Sequence, residues 1–138
     1  MTDTKNDQRW LQRLDNLDRV LLQLQTELAD PQKEFSLIER TGIIHFFEMA
    51  FELSWKTLKD FFEYKDIEVF SSPRDIIKHA GKLEMLDSEL WLNMLEDRNL
   101  SNHTYDEKLS IELFTDIKEN TYVVLFKKLS SALHALNV

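Results

Sequence analysis

Apolar positions recur along this chain at the three- and four-residue steps of an α-helix, with polar residues between them. Trp10, Leu14, Leu17, Leu21, Leu24 and Leu28 make such a seam, which predicts a first helix from about Asp7 to Ala29. Asp30-Pro31 ends it, because proline disfavours the helical conformation in the residue before it. The seam suits an antiparallel bundle helix or a partner-binding coiled coil, and the bundle helix is favoured. The second helix is the spine, from about Lys33 to Tyr64, roughly 48 Å long at about 1.5 Å per residue. Phe47, Phe51, Trp55, Leu58 and Phe62 form one apolar row, and Phe46, Ala50, Leu53 and Phe61 a second beside it. An apolar arc this wide implies burial on more than one side. His45, Glu48, Glu52, Lys56, Lys59 and Glu63 form the polar strip, read as solvated rather than as a site, with Glu52 and Lys56 spaced to pair. Gly42, costly inside a helix, points to a close crossing or a kink.

Ser72 and Pro73 then signal a short helix that ends near Gly81. Its Arg74, Lys78, His79 and Lys82 form a cationic cluster, read first as an exposed face and second as a phosphate flank (Arg74 and Lys78). Asp87-Ser88 opens a helix to about Arg98, with Leu90, Trp91, Met94 and Leu95 inward. A last helix runs from Asn102 or Tyr105 to Leu136, with Leu113, Phe114, Ile117, Val124, Leu125, Leu129, Ala132, Leu133 and Leu136 inward and His134 incidental. The pattern predicts an all-α, up-and-down antiparallel bundle of about five helices, three long and two short.

Composition narrows the picture. The 138 residues fit one domain over 1–138, and two glycines with two prolines leave little material for the turns of a β fold. The lack of cysteine excludes disulfides and thiolate metal sites and suits a reducing compartment, with cytoplasm the default. No apolar run is long enough to span a bilayer, and the polar N-terminus does not read as a signal peptide. A net charge of −8 opposes non-specific nucleic-acid binding, so any RNA contact must come from a local patch or a partner.

The candidate chemistry lies in Arg98-Asn99-Leu100-Ser101-Asn102-His103-Thr104-Tyr105. On one unbroken helix Arg98 and His103 would point about 140° apart. Asn99, Ser101 and Asn102 favour caps and turns, so a break after Arg98 would bring guanidinium and imidazole together. Such a pair suits a phosphodiester, although this spacing alone is a weak signal.

Several stretches together are more specific. Glu39-Arg40-Thr41-Gly42-Ile43-Ile44, the run from Phe47 to Asp60, Ser72-Pro73-Arg74-Asp75-Ile76-Ile77 and the run from Glu89 to Leu100 resemble, in order, the nucleotidyltransferase substrate-binding proteins. These belong to the HEPN superfamily, with the HepT-type toxins. Arg98-Asn99 and His103-Thr104-Tyr105 complete that family's Arg-Asn-x3-His-x-Tyr pattern, and the resemblance covers about Leu37 to Tyr122. It implies a HEPN bundle, a homodimer that brings two Arg-x4-His motifs into one cleft, and a minimal nucleotidyltransferase as partner. It implies a ribonuclease toxin using no metal and no cofactor, with Arg98 and His103 catalytic and Asn99 supporting. Tyr105 would accept AMP from the transferase. The alternative it leaves is a non-catalytic substrate-binding subunit of that transferase.

Overall fold

The computed structural model describes residues 4–69, 71–103, 105–119 and 122–137. Within them lie α1 (Thr4–Glu27), α2 (Leu37–Tyr64), α3 (Pro73–Lys82), α4 (Ser88–Leu100), a 3₁₀ turn (Ser101–His103), α5 (Glu107–Glu119) and α6 (Tyr122–Leu136). The fold is an all-helical bundle, and no strand occurs among the described residues.

Ser36 sets the start of the spine. Its hydroxyl accepts the Glu39 N–H at 3.1 Å, and the Glu39 carboxylate accepts the Ser36 N–H at 3.0 Å. This reciprocal cap starts α2 at Leu37, four residues after the expected Lys33, by satisfying donors that a helix start otherwise leaves unpaired. From there α2 touches every other helix. Phe47, Phe51, Leu58 and Phe62 are fully buried, whereas Phe46, Leu53 and Trp55 are half-buried. A buried polar line lies among them. The hydroxyls of Ser54 and Thr57 donate to the carbonyls of Ala50 and Leu53, four residues back. Asp60 meets Arg13 at 2.6 Å, and burial pushes its carboxyl up against the pull of that guanidinium.

The α1 seam packs antiparallel along α2. Trp10, near the start of α1, lies edge-on to Phe61 at 5.0 Å and stacks on Tyr64 at 6.3 Å, near the end of α2. Trp10, Leu14, Leu17, Leu21 and Leu24 are all buried, and Leu28 packs against the core from its edge.

α2 and α3 end alike. Asp66 and Glu84, at φ 57° and 59°, turn the chain in the left-handed region. The next amides, of Ile67 and Met85, reach back to the carbonyls of Phe62 and Ala80, which satisfies the helix ends. Gly81 lies inside α3 because a Cβ there would stand 2.7 Å from the Ser88 Cβ, where α4 begins. Gly42, by contrast, has nothing within 4 Å of a Cβ position, so it does not mark a close crossing.

Several expectations need correction in the C-terminal half. The last helix begins at Glu107, where the Asp106 carboxylate accepts the Leu109 N–H at 3.2 Å. It is two helices, α5 and α6, on either side of residues 120–121, which lie outside the described residues. Leu113, Phe114 and Ile117 are buried on α5, but α6 buries Tyr122, Leu125, Phe126, Leu129 and Leu133, leaving Val124 and Leu136 exposed. On one continuous helix those two sets would point roughly 130° apart, so both could not face one core. His134 is not incidental: it and Ser130 both hold Asp18, at 2.7 and 2.5 Å, fastening α6 to α1. Leu90 on α4 also faces outward rather than inward. No helix among the described residues is long and apolar enough to cross a membrane.

Candidate functional site

The site is built where α4 stops. Arg98 lies in its last turn, where a cation complements the helix dipole. The Ser101 hydroxyl donates to the Arg98 carbonyl at 2.5 Å, and the chain tightens into the 3₁₀ turn. The break thus falls after Leu100, two residues beyond Arg98. It carries His103 to the surface, and the Asp106 N–H donates back to the His103 carbonyl at 2.9 Å before α5 begins.

Two groupings result. His103 Nδ1 and the Tyr105 hydroxyl lie 2.9 Å apart, their rings nearly perpendicular at 5.7 Å, with Tyr105 83% exposed. Thr104 between them lies outside the described residues. Arg98 turns instead toward α2. Its Nη2 donates to Glu52 Oε1, and its Nη1 reaches Asn99 Oδ1 at 3.4 Å. Its guanidinium therefore pairs with Glu52, with only a long contact to Asn99, rather than with His103.

The polar strip of α2 supplies the rest. Glu52 is no freely solvated residue. Its second oxygen accepts the Trp55 Nε1–H at 3.1 Å, and Lys56 stands 3.8 Å away. Arg98, Glu52, Glu48 and His45 line one wall of a groove of about 590 Å³, with Met49 and Leu53 also from α2. The opposite wall comes from α1, through Arg19 and Val20. Burial pushes the Glu48 carboxyl up, opposed by the neighbouring His45 and Arg98 side chains. Sequence reasoning missed the Arg98–Glu52 pair because its members stand 46 residues apart and neither spacing nor composition links them.

Behind Arg98, the Tyr122 hydroxyl donates to Asp97 Oδ2 at 2.5 Å. Burial and this carboxylate push the Tyr122 phenol well up. Burial, then the charge of Asp97, pushes the neighbouring Asp116 carboxyl up as well. Nothing in the sequence pattern signalled this cluster.

Arg74 and Lys78 lie on α3, away from the Arg98 groove. Lys78 lines a separate depression of about 290 Å³ with His79, Lys82, Glu68 and Asp75. Among the described residues, no three His, Asp or Glu side chains converge as metal ligands would.

A family model, "Nucleotidyltransferase substrate binding protein like", matches residues 12–135. The crystal structure of a protein from Thermus thermophilus superposes with a TM-score of 0.72 at 28% identity, over 88% of this chain and 99% of that one. Among curated proteins there is no match. The helical architecture and a match over nearly the whole chain agree, and the chain belongs to the nucleotidyltransferase substrate-binding protein-like family, of HEPN type.

Proposed function

We propose that this chain is the HepT-like toxin of a toxin–antitoxin pair, a metal-independent endoribonuclease acting in the cytoplasm as a homodimer. Its partner would be a minimal nucleotidyltransferase, which silences it by moving AMP to Tyr105. The observation that carries this reading is the exposed His103–Tyr105 pair, 2.9 Å apart, on the turn that follows Arg98.

RNA brings its own nucleophile. His103 takes the proton of a 2′-hydroxyl, that oxygen attacks the adjacent phosphorus, and the 5′-oxygen leaves with a proton from the second subunit's His103. The products are a 2′,3′-cyclic phosphate and a 5′-hydroxyl. Imidazole is the side chain that can take or give a proton near neutral pH, which suits either transfer. The Tyr105 hydroxyl can accept from Nδ1–H, which leaves Nε2 as the free base, or donate to a bare Nδ1, which leaves the proton on Nε2 as the acid, so it can steady the ring in either role. Arg98 forks onto the phosphate oxygens as charge builds there, with Asn99 beside it. In the silencing step the Tyr105 oxygen attacks the α-phosphorus of ATP, pyrophosphate leaves, and the phenol proton passes to a base. The attached AMP then blocks His103 by bulk and negative charge. Arg74 and Lys78, away from this turn, would serve at most as distant contacts for the RNA backbone.

Incubating freshly made, unmodified protein with RNA and EDTA tests the reading. Cleavage by wild type that is lost in His103→Ala supports it. A second reading, a binding subunit that cuts nothing, draws on the engagement of Arg98 by Glu52 and on the net charge of −8. Absence of cleavage by unmodified wild type favours that one. With the transferase and ATP, a mass increase of one AMP confined to the Tyr105 peptide and absent in Tyr105→Phe tests the silencing step.

A further inference from the structure

We infer that Glu52 is the positioning residue of Arg98, with Trp55 as its brace; this rests on the ribonuclease reading. A carboxylate offers two oxygens, and here both are committed. Oε1 accepts from Arg98 Nη2, and Oε2 accepts from the Trp55 indole N–H at 3.1 Å. The indole stops the carboxylate from rotating, and the carboxylate stops the guanidinium from wandering.

The mounting is unequal, and that inequality gives the pair its sense. Glu52 stands in the middle of α2, the helix against which all the others pack. Arg98 stands in the last turn of α4, just before the chain breaks into a 3₁₀ turn. A long arginine side chain there would sample many rotamers. Its contact with Asn99, at 3.4 Å, is too long to hold it. The hold does not exhaust the guanidinium. Of its five N–H donors Glu52 takes one, so an edge is left for phosphate, and the arginine is about one-third exposed, at 32%. Fixing one edge of a fork so that the other meets the transition state is preorganisation by a neighbouring side chain.

The test exploits donor and acceptor counting. Glu52→Gln keeps the shape but leaves one amide oxygen facing two donors, Arg98 and Trp55. Whichever donor it serves, the amide NH₂ confronts the other. Removing the indole donor with Trp55→Phe relieves the conflict. RNA cleavage in EDTA is measured for wild type, Glu52→Gln, Trp55→Phe and the double variant, together with the ¹⁵N resonances of the Arg98 guanidinium. Glu52→Gln is expected to lower kcat by about 100-fold, the cost of a misplaced group, while KM stays within about threefold. Trp55→Phe alone, which removes the brace but leaves the carboxylate for Arg98, lowers kcat by about three- to fivefold, and the double variant recovers about tenfold over Glu52→Gln. The Arg98 Nη resonances, distinct in wild type, merge in Glu52→Gln and separate again in the double variant. Glu52→Asp keeps the charge but is too short to span both donors, and its kcat falls between wild type and Glu52→Gln. Wild-type kcat in Glu52→Gln, or a double variant as slow as the single, overturns the inference. If wild type itself cuts no RNA, the ribonuclease reading fails, and the Arg98 resonances alone decide whether Glu52 holds the guanidinium.

Discussion

Gly42 and Gly81 are both helical, yet substitutions at them should move stability in opposite directions. A methyl group at Gly42 enters open space and removes the entropic cost of glycine, so Gly42→Ala is expected to stabilise the fold by about 0.5–1 kcal/mol in urea denaturation. At Gly81 the same methyl meets the Ser88 Cβ at 2.7 Å, so Gly81→Ala must push α4 outward and should destabilise by about 1–3 kcal/mol. The sequence could not separate these cases, since the space around a glycine is a tertiary property. Asp116 gives a pH-dependent prediction. Its carboxyl is pushed up by burial and by Asp97, so between its ordinary value and the raised one the folded state binds more protons than the unfolded. Stability therefore falls as pH rises through that window. Asp116→Asn should be more stable than wild type at pH 7 and lose this advantage at about pH 3, below the ordinary carboxylate range of about 3.9. Arg98, His103 and Tyr105 were singled out by their match to the Arg-Asn-x3-His-x-Tyr pattern of the family the chain resembles, but the partner of Arg98 was not legible. The chain gives no local sign that Glu52 turns to α4 rather than to water.

Caps decide the elements. Ser72-Pro73 and Asp87 were readable as helix starts, and both helices begin there. The Ser36–Glu39 box was equally legible by its spacing, yet the apolar pattern alone drew the start back to Lys33. Ser36→Ala should cost about 1 kcal/mol, measured by thermal or chemical unfolding, because it leaves the Glu39 amide without its acceptor. The division between α5 and α6 was harder to see. Asn120 and Thr121 have low helix preference, but without glycine or proline two such residues do not force an end. What separates the helices is the demand that both apolar faces reach the same core, which only the packed structure reveals.

For the whole molecule, the wide apolar arc of α2 left it either central in a bundle or partly against another subunit, and the packing of every other helix on it makes it central. An acidic surface sets how such a protein can hold RNA. If a dimer grips through its two Arg98 side chains, it displaces few counterions, and log K against log salt should have a shallow slope near about −1.4, measured by fluorescence anisotropy with a single-stranded oligomer. A much steeper slope would mean that the α3 lysines or another basic surface carries the binding. The decisive measurement is the chemistry of the cut ends. Unmodified wild type incubated with RNA in EDTA should yield a 2′,3′-cyclic phosphate and a 5′-hydroxyl, and neither should form with His103→Ala. Intact RNA with wild type, or the same ends from the variant, would contradict the proposal that His103 and Arg98 form a nuclease site.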